Sequence, residues 1–351
     1  MAHFRKKAPH MKPLPILIPL GLGAIVINTM PVWLAELASH QQVSEPLAGG
    51  FGSLVLLAAA VACVGPISGR FDYAARLCIP VSFAILALGE RLPVIGLGLC
   101  CVLLGLALGL ATKRALRGLQ KVESPLELVS TALTFGLGVS FAIYLALFSF
   151  ALNVMWILAG TSLILLLARS ENASITVRRD QHLSSAGLPL RFVPFFVMMG
   201  AYWSFLELYG QSIGTQGGLA LWLLFSLIAG AIGSFLAGRL PSRYGTGLQT
   251  FALLAAAVTG ASSYVSPNLT LLGLSILANG FFLFLFFPLY ISSHQDRAPA
   301  AMASYLLGFA FGGLAGALIL QITGYPGLGL TILATGLVAI WPWPGLLSRR
   351  Y

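Results

Sequence analysis

The chain has 351 residues, of which 58% are hydrophobic and 9% charged, with a mean hydropathy of +0.91. Soluble domains carry about 25% charged residues, so this composition excludes a soluble globule, and the abundant apolar surface excludes a disordered chain. A net charge of +10 could suit a nucleic-acid binder, but the bases sit in short clusters between long apolar runs, which excludes that partner and suits a polytopic membrane protein.

In chain order, a start carrying Arg5, Lys6, Lys7 and Lys12 precedes an apolar run over 15–37. That run exceeds the core of a cleavable signal, about 7–15 residues, and predicts a retained first span. Further runs cover 50–68, 77–89, 92–111 and 126–168, then 192–210, 219–237, 248–265, 269–292, 298–322 and 328–347. The run over 126–168 has 43 residues. As one helix it would be about 65 Å long, twice the ~30 Å hydrocarbon core, so it must fold back near residues 140–150. The total is twelve spans in an all-α polytopic membrane protein. The polar stretch 169–191 predicts a cytoplasmic central loop between two six-helix bundles, 14–168 and 192–347. No soluble domain fits in the remaining loops.

Basic residues set the orientation. With both termini in the cytoplasm, 19 of the 20 Lys and Arg fall inside and only Arg91 outside. The two halves also share landmarks. Span two follows Gly49-Gly50 and ends before Gly69-Arg70, while span eight follows Gly217-Gly218 and ends at Gly238-Arg239. Two six-span halves repeated in parallel are a transporter architecture.

The loops after spans two and eight carry a resemblance. They read Gly69-Arg70-Phe71-Asp72-Tyr73-Ala74-Ala75-Arg76 and Gly238-Arg239-Leu240-Pro241-Ser242-Arg243-Tyr244-Gly245. They resemble the major facilitator superfamily, which has a cytoplasmic motif of approximately Gly-x-Leu-x-Asp-Arg-x-Gly-Arg there. The first copy keeps the Asp and the final Arg but is one residue short; the second keeps Arg243 and Gly245 and has Ser242 for the acid. The resemblance implies two pseudo-symmetric bundles rocking about a central cavity. It implies cytoplasmic gating loops at Gly69, Asp72, Arg76, Gly238, Arg243 and Gly245. It also implies a cavity built chiefly from spans one, four, seven and ten.

Few groups inside the spans carry chemistry. His3, His10, His40, His182 and His294 all lie in tails or loops, so no metal site, cofactor or His-based catalysis is expected. Cys63, Cys78, Cys100 and Cys101 lie in apolar runs as small buried hydrophobes. No Gly-rich loop with a Lys points to ATP. An enzyme is not expected. Gly105 and Gly109, and Gly308, Gly312 and Gly316, have the four-residue spacing of close helix packing. Glu207 lies well inside span seven on a face shared with Gly200, Trp203 and Gln211. Two readings stand for it: a proton-coupling carboxyl facing a cavity, or a side chain snorkelling to the outer interface. Glu36 reads as interfacial. Asn28, Asn153, Asn279, Phe282, Phe286 and Tyr290 add polar and aromatic candidates. By the family pattern, Trp203, Glu207 and Asn279 stand first as cavity residues, with Asn28, Gly200, Gln211, Phe282 and Phe286 beside them.

The expected function is secondary active transport of a small organic solute by alternating access, coupled to protons, with efflux of hydrophobic or cationic compounds as its form. An uncoupled facilitator or exchanger of the same fold, and a non-transporting scaffold or sensor, are the alternatives. The expected partners are the lipid bilayer, the solute and protons, for a monomer spanning a bacterial inner membrane.

Overall fold

Proline, threonine and asparagine decide where these apolar runs bend. The structure is a computed structural model that describes residues 13–65, 72–88, 92–150, 153–167, 188–214, 218–241 and 245–341. Helix α1 has two arms, Leu14–Asn28 and Met30–Gln41, which meet at 56°. Pro31 has no N–H to continue the ladder, so the helix breaks just before it. The freed groups are recovered locally: Thr29 Oγ1 donates to Ile25 O at 2.8 Å and Trp33 Nε1 to Val26 O at 3.3 Å. The retained first span expected over 15–37 is therefore bent and runs on to Gln41.

Then follow α2 (Glu45–Val64), α3 (Asp72–Leu88), α4 (Val94–Leu119) and α5 (Pro125–Ser149). The long run does divide into two helices, but α5 is helical through Ser149 and the next helix begins at Val154, past the expected window. Phe150 is extended and Asn153 Oδ1 accepts from Met155 N at 3.0 Å, so Asn153 caps α6 (Val154–Ser162, continued by Ile164–Leu167). Glu36 Oε2 accepts from Val154 N at 2.8 Å, so this carboxylate serves the same cap. The second half holds α7 (Val193–Ser212), α8 (Leu219–Arg239), α9 (Gly245–Ser263) and α10 (Leu269–Ser293). Asn268 caps α10 through Leu271 N.

The helical stretch Ala298–Ile340 contains one non-helical residue, Gly324, at φ 69° and ψ −171°. A side chain is disfavoured at that φ, and glycine supplies it freely. We divide the stretch into α11 (298–323) and α12 (325–340). Gly308, Gly312 and Gly316 meet α7 in ascending order, at Phe196, Gly200 and Phe205. Gly329 and Gly336 meet α9 in descending order, at Ala261 and Ala257. The chain therefore reverses at Gly324, and the described residues form twelve spans.

The helices pack by one scheme used twice. In the first half α1 packs on α5, α2 on α4, and α3 on α4 and α6. In the second, α7 packs on α11, α8 on α10, and α9 on α10 and α12. A Cβ on Gly105 or Gly109 of α4 would lie 2.3 Å from Val55 O or Ala59 O of α2, so backbones touch there. Gly280 of α10, 175 positions after Gly105, meets Ser226 O of α8 in the same way. Outward faces carry large apolar residues such as Ile95, Leu330 and Phe235, as a lipid-facing surface requires. Seven helical stretches among the described residues are each long and apolar enough to cross a membrane, and α1 is an eighth when taken through its bend.

The halves meet along α5 against α8 and along α2 against the 298–340 stretch. Alternating helices put the α2–α3, α4–α5, α8–α9 and α10–α11 connections at the end where α1 starts and α12 finishes, here called the terminal face. Four hydrogen bonds among the described residues cross between the halves near this face. Gln120 Nε2 donates to Asp296 O at 2.9 Å and Gln295 Nε2 to Leu119 O at 3.0 Å. Ser234 Oγ donates to Ser130 O at 3.1 Å and Thr134 Oγ1 to Ala231 O at 3.4 Å. Gln120 and Gln295 stand 175 positions apart, the same offset as Gly105 and Gly280, so the pair reads as one device repeated by the internal symmetry. Of the expected gating residues, Gly238 lies in this interface, where its Cβ would sit 2.8 Å from Ser130 Cβ. Arg76 is buried, and its Nη1 donates to Leu165 O at 3.3 Å near the end of α6. Asp72 and Gly245 begin α3 and α9. Gly69, Arg243 and most of the expected central loop lie outside the described residues.

Candidate functional site

A cavity of about 60 Å³ lies between the two halves. One side is walled by α1, α2, α4 and α5, and the other by α10 and α11. The walls are mostly Leu, Ile, Val, Ala, Met and Phe, with no Asp, Glu, Lys, Arg or His among them. Three side chains bring hydrogen-bonding groups: Asn28, Thr112 and Tyr305.

Each is placed by its helix. Asn28 is the last residue before the α1 bend, and its Nδ2 donates to Ala24 O at 2.8 Å, which leaves Oδ1 for another donor. Thr112 of α4 faces Gly23 of α1, whose Cβ would stand 3.6 Å from Thr112 Oγ1, so no side chain covers the hydroxyl from that direction. Tyr305 of α11 is wedged among rings, 4.6 Å from Phe287, 4.5 Å from Phe309 and 5.4 Å from Phe196. Lys113, beside Thr112, takes no part in the cavity. Its Nζ reaches Gly65 O and, at 3.4 Å, Ala62 O, and so neutralises the carbonyl end of α2.

Of the expected site residues, Asn28 lines this cavity. Asn279 is fully buried inside the second half, with Nδ2 donating to Ala256 O at 2.8 Å and Oδ1 left without a partner. Phe286 belongs to a buried ring cluster with Phe192, Phe195, Phe196 and Tyr290, while its neighbour Phe287 reaches the cavity. Phe282 packs edge-on against Phe251 at 5.7 Å. Gly200 is the point where α7 touches α11. Trp203 is half-buried and Glu207 and Gln211 are exposed, along a stripe of α7 that is not part of the cavity wall. The periodicity that groups them on one face is right, but it does not say what that face meets. Sequence reasoning missed Thr112, Tyr305 and Phe287. The signal for Tyr305 was a lone hydroxyl-bearing ring among the small residues of span eleven; nothing local distinguished Thr112.

No protein-family profile and no curated protein sequence matches the chain. Solved structures do. The human organic anion transporter MFSD10 (TETRAN) superposes with a TM-score of 0.69 at 15% identity, over 95% of this chain and 99% of that one. The E. coli fucose:proton symporter FucP gives 0.64 at 15% identity, over 93% and 97%. The proton:xylose symporter XylE of the major facilitator superfamily gives 0.65 at 14% identity, over 93% of each chain. The chain has the major facilitator fold. Coverage near the whole of both chains, at TM-scores of 0.64 to 0.69, carries that assignment. The two six-helix bundles expected from the sequence are thus the observed architecture. In this major facilitator architecture the cavity sits between the bundles and is walled by both.

Proposed function

We propose that the protein is a secondary transporter that moves a small organic solute across a membrane by alternating access. The carrying observation is a cavity walled by both repeated bundles, beneath a set of inter-bundle hydrogen bonds at one face only a few residues long. A solute bound there contacts both halves, so its binding free energy can differ between the two rocking states, which is the condition for coupled movement. The bonds through Gln120, Gln295, Ser234 and Thr134 would hold the terminal face closed in this state and break in the other. The partition of basic residues supports a cytoplasmic terminal face, in a cell membrane. Proton coupling through Glu207 completes the reading: it is the one acid within α7, on a face shared with Trp203 and Gln211. The named symporters move protons with sugars, and they share the fold.

The test needs no known solute. Asn28→Cys, towards the far face, and Leu116→Cys, near the terminal face, are each exposed in proteoliposomes to a membrane-impermeant maleimide from either side. A rocking transporter reacts at Asn28→Cys from the far face and at Leu116→Cys from the terminal face within one population. A rigid scaffold or sensor admits reagent from one side alone, and that result would sink the proposal.

A further inference from the structure

We propose that the solute is an uncharged amphiphile: a mostly apolar molecule, neutral at working pH, whose few hydrogen-bonding groups meet Asn28, Thr112 and Tyr305. This rests on the transporter reading and names the class that its cavity accepts. A charged solute buried between the halves would need a counter-charge or a ring of oriented dipoles, since an ion loses its hydration there. None of the cavity walls carries Asp, Glu, Lys, Arg or His. The adjacent cation, Lys113, is directed away and engaged with the carbonyls of α2, so an anion finds no partner.

A cation could instead use ring faces, and the geometry argues against it. Tyr305 lies tilted at 60° to Phe287 and 43° to Phe309, with Phe196 edge-on at 86°. The Tyr305 ring is thereby taken up in contacts with other rings, and no carboxylate among the walls supplies the counter-charge that a buried cation needs. What remains is apolar wall plus three neutral hydrogen-bonding groups. They come from both halves, Asn28 and Thr112 from the first and Tyr305 from the second, so a neutral solute with spaced polar groups bridges the two bundles. Of the two classes expected from the sequence, hydrophobic compounds fit this cavity and cationic ones do not.

The test compares three probes on the purified full chain in lipid nanodiscs: N-phenyl-1-naphthylamine, which is neutral; 1-anilinonaphthalene-8-sulfonate, nearly the same skeleton with a negative charge; and tetraphenylphosphonium, a lipophilic cation. The readout is the thermal unfolding midpoint against probe concentration. The neutral probe is expected to raise the midpoint saturably, with an apparent affinity at least tenfold above either ion. Thr112→Val with Tyr305→Phe keeps shape and removes both hydroxyls, and should weaken the neutral probe at least fivefold. Gly23→Leu fills the cavity and should abolish the shift; should that variant not fold, the hydroxyl-free double variant still decides. Equal stabilisation by either ion overturns the uncharged class and leaves transport standing. A neutral probe that gives no saturable shift, or one indifferent to the double variant, also overturns it. The transporter reading is judged independently by the two-sided labelling above, which uses no ligand.

Discussion

The paired glutamines at the terminal face make the sharpest mechanical prediction. In Gln120→Ala/Gln295→Ala both reciprocal bonds, 2.9 Å to Asp296 O and 3.0 Å to Leu119 O, are lost. Net values for such bonds are about 0.5–1.5 kcal/mol, and the exposed Gln120 bond belongs at the low end while the part-buried Gln295 bond sits near the middle. Together they contribute about 1.5 kcal/mol to the state closed at the terminal face, or roughly a tenfold change in the ratio of the two access states. The bonded carbonyls lie at helix ends beside water, so they are rehydrated on opening and add little further cost. The assay is the rate at which Leu116→Cys is modified by impermeant maleimide from the terminal face. We expect that rate to rise roughly tenfold in the double variant, about twofold in Gln120→Ala and about fivefold in Gln295→Ala, with the far-face reactivity of Asn28→Cys falling slightly and never rising. An unchanged rate at Leu116→Cys, or a rise at both positions together, would refute the reasoning, since the second outcome means general loosening and not a shift of one equilibrium.

Three further outcomes are expected. Gly312→Val should lower thermal stability by about 1–3 kcal/mol, because a Cβ there would lie 2.5 Å from Gly200 Cα and the two backbones must separate; Gly50→Ala, with nothing within 4 Å, should stay within about 0.5 kcal/mol, and equal losses would show that the α7–α11 contact is not tight. Glu207→Gln should leave folding and the midpoint unchanged, abolish pH-driven accumulation of solute in proteoliposomes and preserve exchange; accumulation that survives would return Glu207 to the role of a snorkelling surface acid. His294, outside the spans, is held below the usual histidine pKa by burial, aided by Arg297 and Arg191 and opposed by its bond to Tyr290 O. The unfolded chain then takes up the proton first, so stability should fall as pH drops from about 6.5 towards the lowered folded pKa and flatten below it. Midpoints measured for His294→Gln should lack that part of the slope, and an identical slope would count against it.

The sequence carried the architecture because lipid leaves the backbone few choices. Every N–H and C=O must be paired within the span, so an apolar run of about 20 residues between charged clusters is a helix across the bilayer, and the clusters count the crossings. The internal repeat was also legible, through the Gly49-Gly50 and Gly217-Gly218 pairs and the Gly-Arg steps at Gly69 and Gly238, while the packing equivalence of Gly105 and Gly280 came from the structure. Breaks were harder to read. The bend before Pro31 and the cap at Asn153 each hang on one residue inside an apolar run, where a hydropathy window averages it away, whereas the break at Gly324 falls between the runs 298–322 and 328–347 that the sequence already separates.

The candidate site was the least legible, for a geometric reason. Periodicity places residues on a helix face but does not orient that face among five neighbours. Asn279, Phe282 and Phe286 share a stripe of α10, yet Asn279 and Phe286 are enclosed within the second bundle, and Phe287, one position on and 100° round the helix, meets the cavity. Thr112 and Tyr305 lie nearly two hundred positions apart, and only the packing of α4 and α11 onto opposite sides of one cavity brings them to the same place. The sequence by itself determined a membrane-spanning, twofold-repeated helical chain, because solvation by lipid acts on each segment separately. Which side chains face the space between the halves was decided by helix rotation and close glycine contacts, which belong to pairs of segments and exist only in the folded bundle.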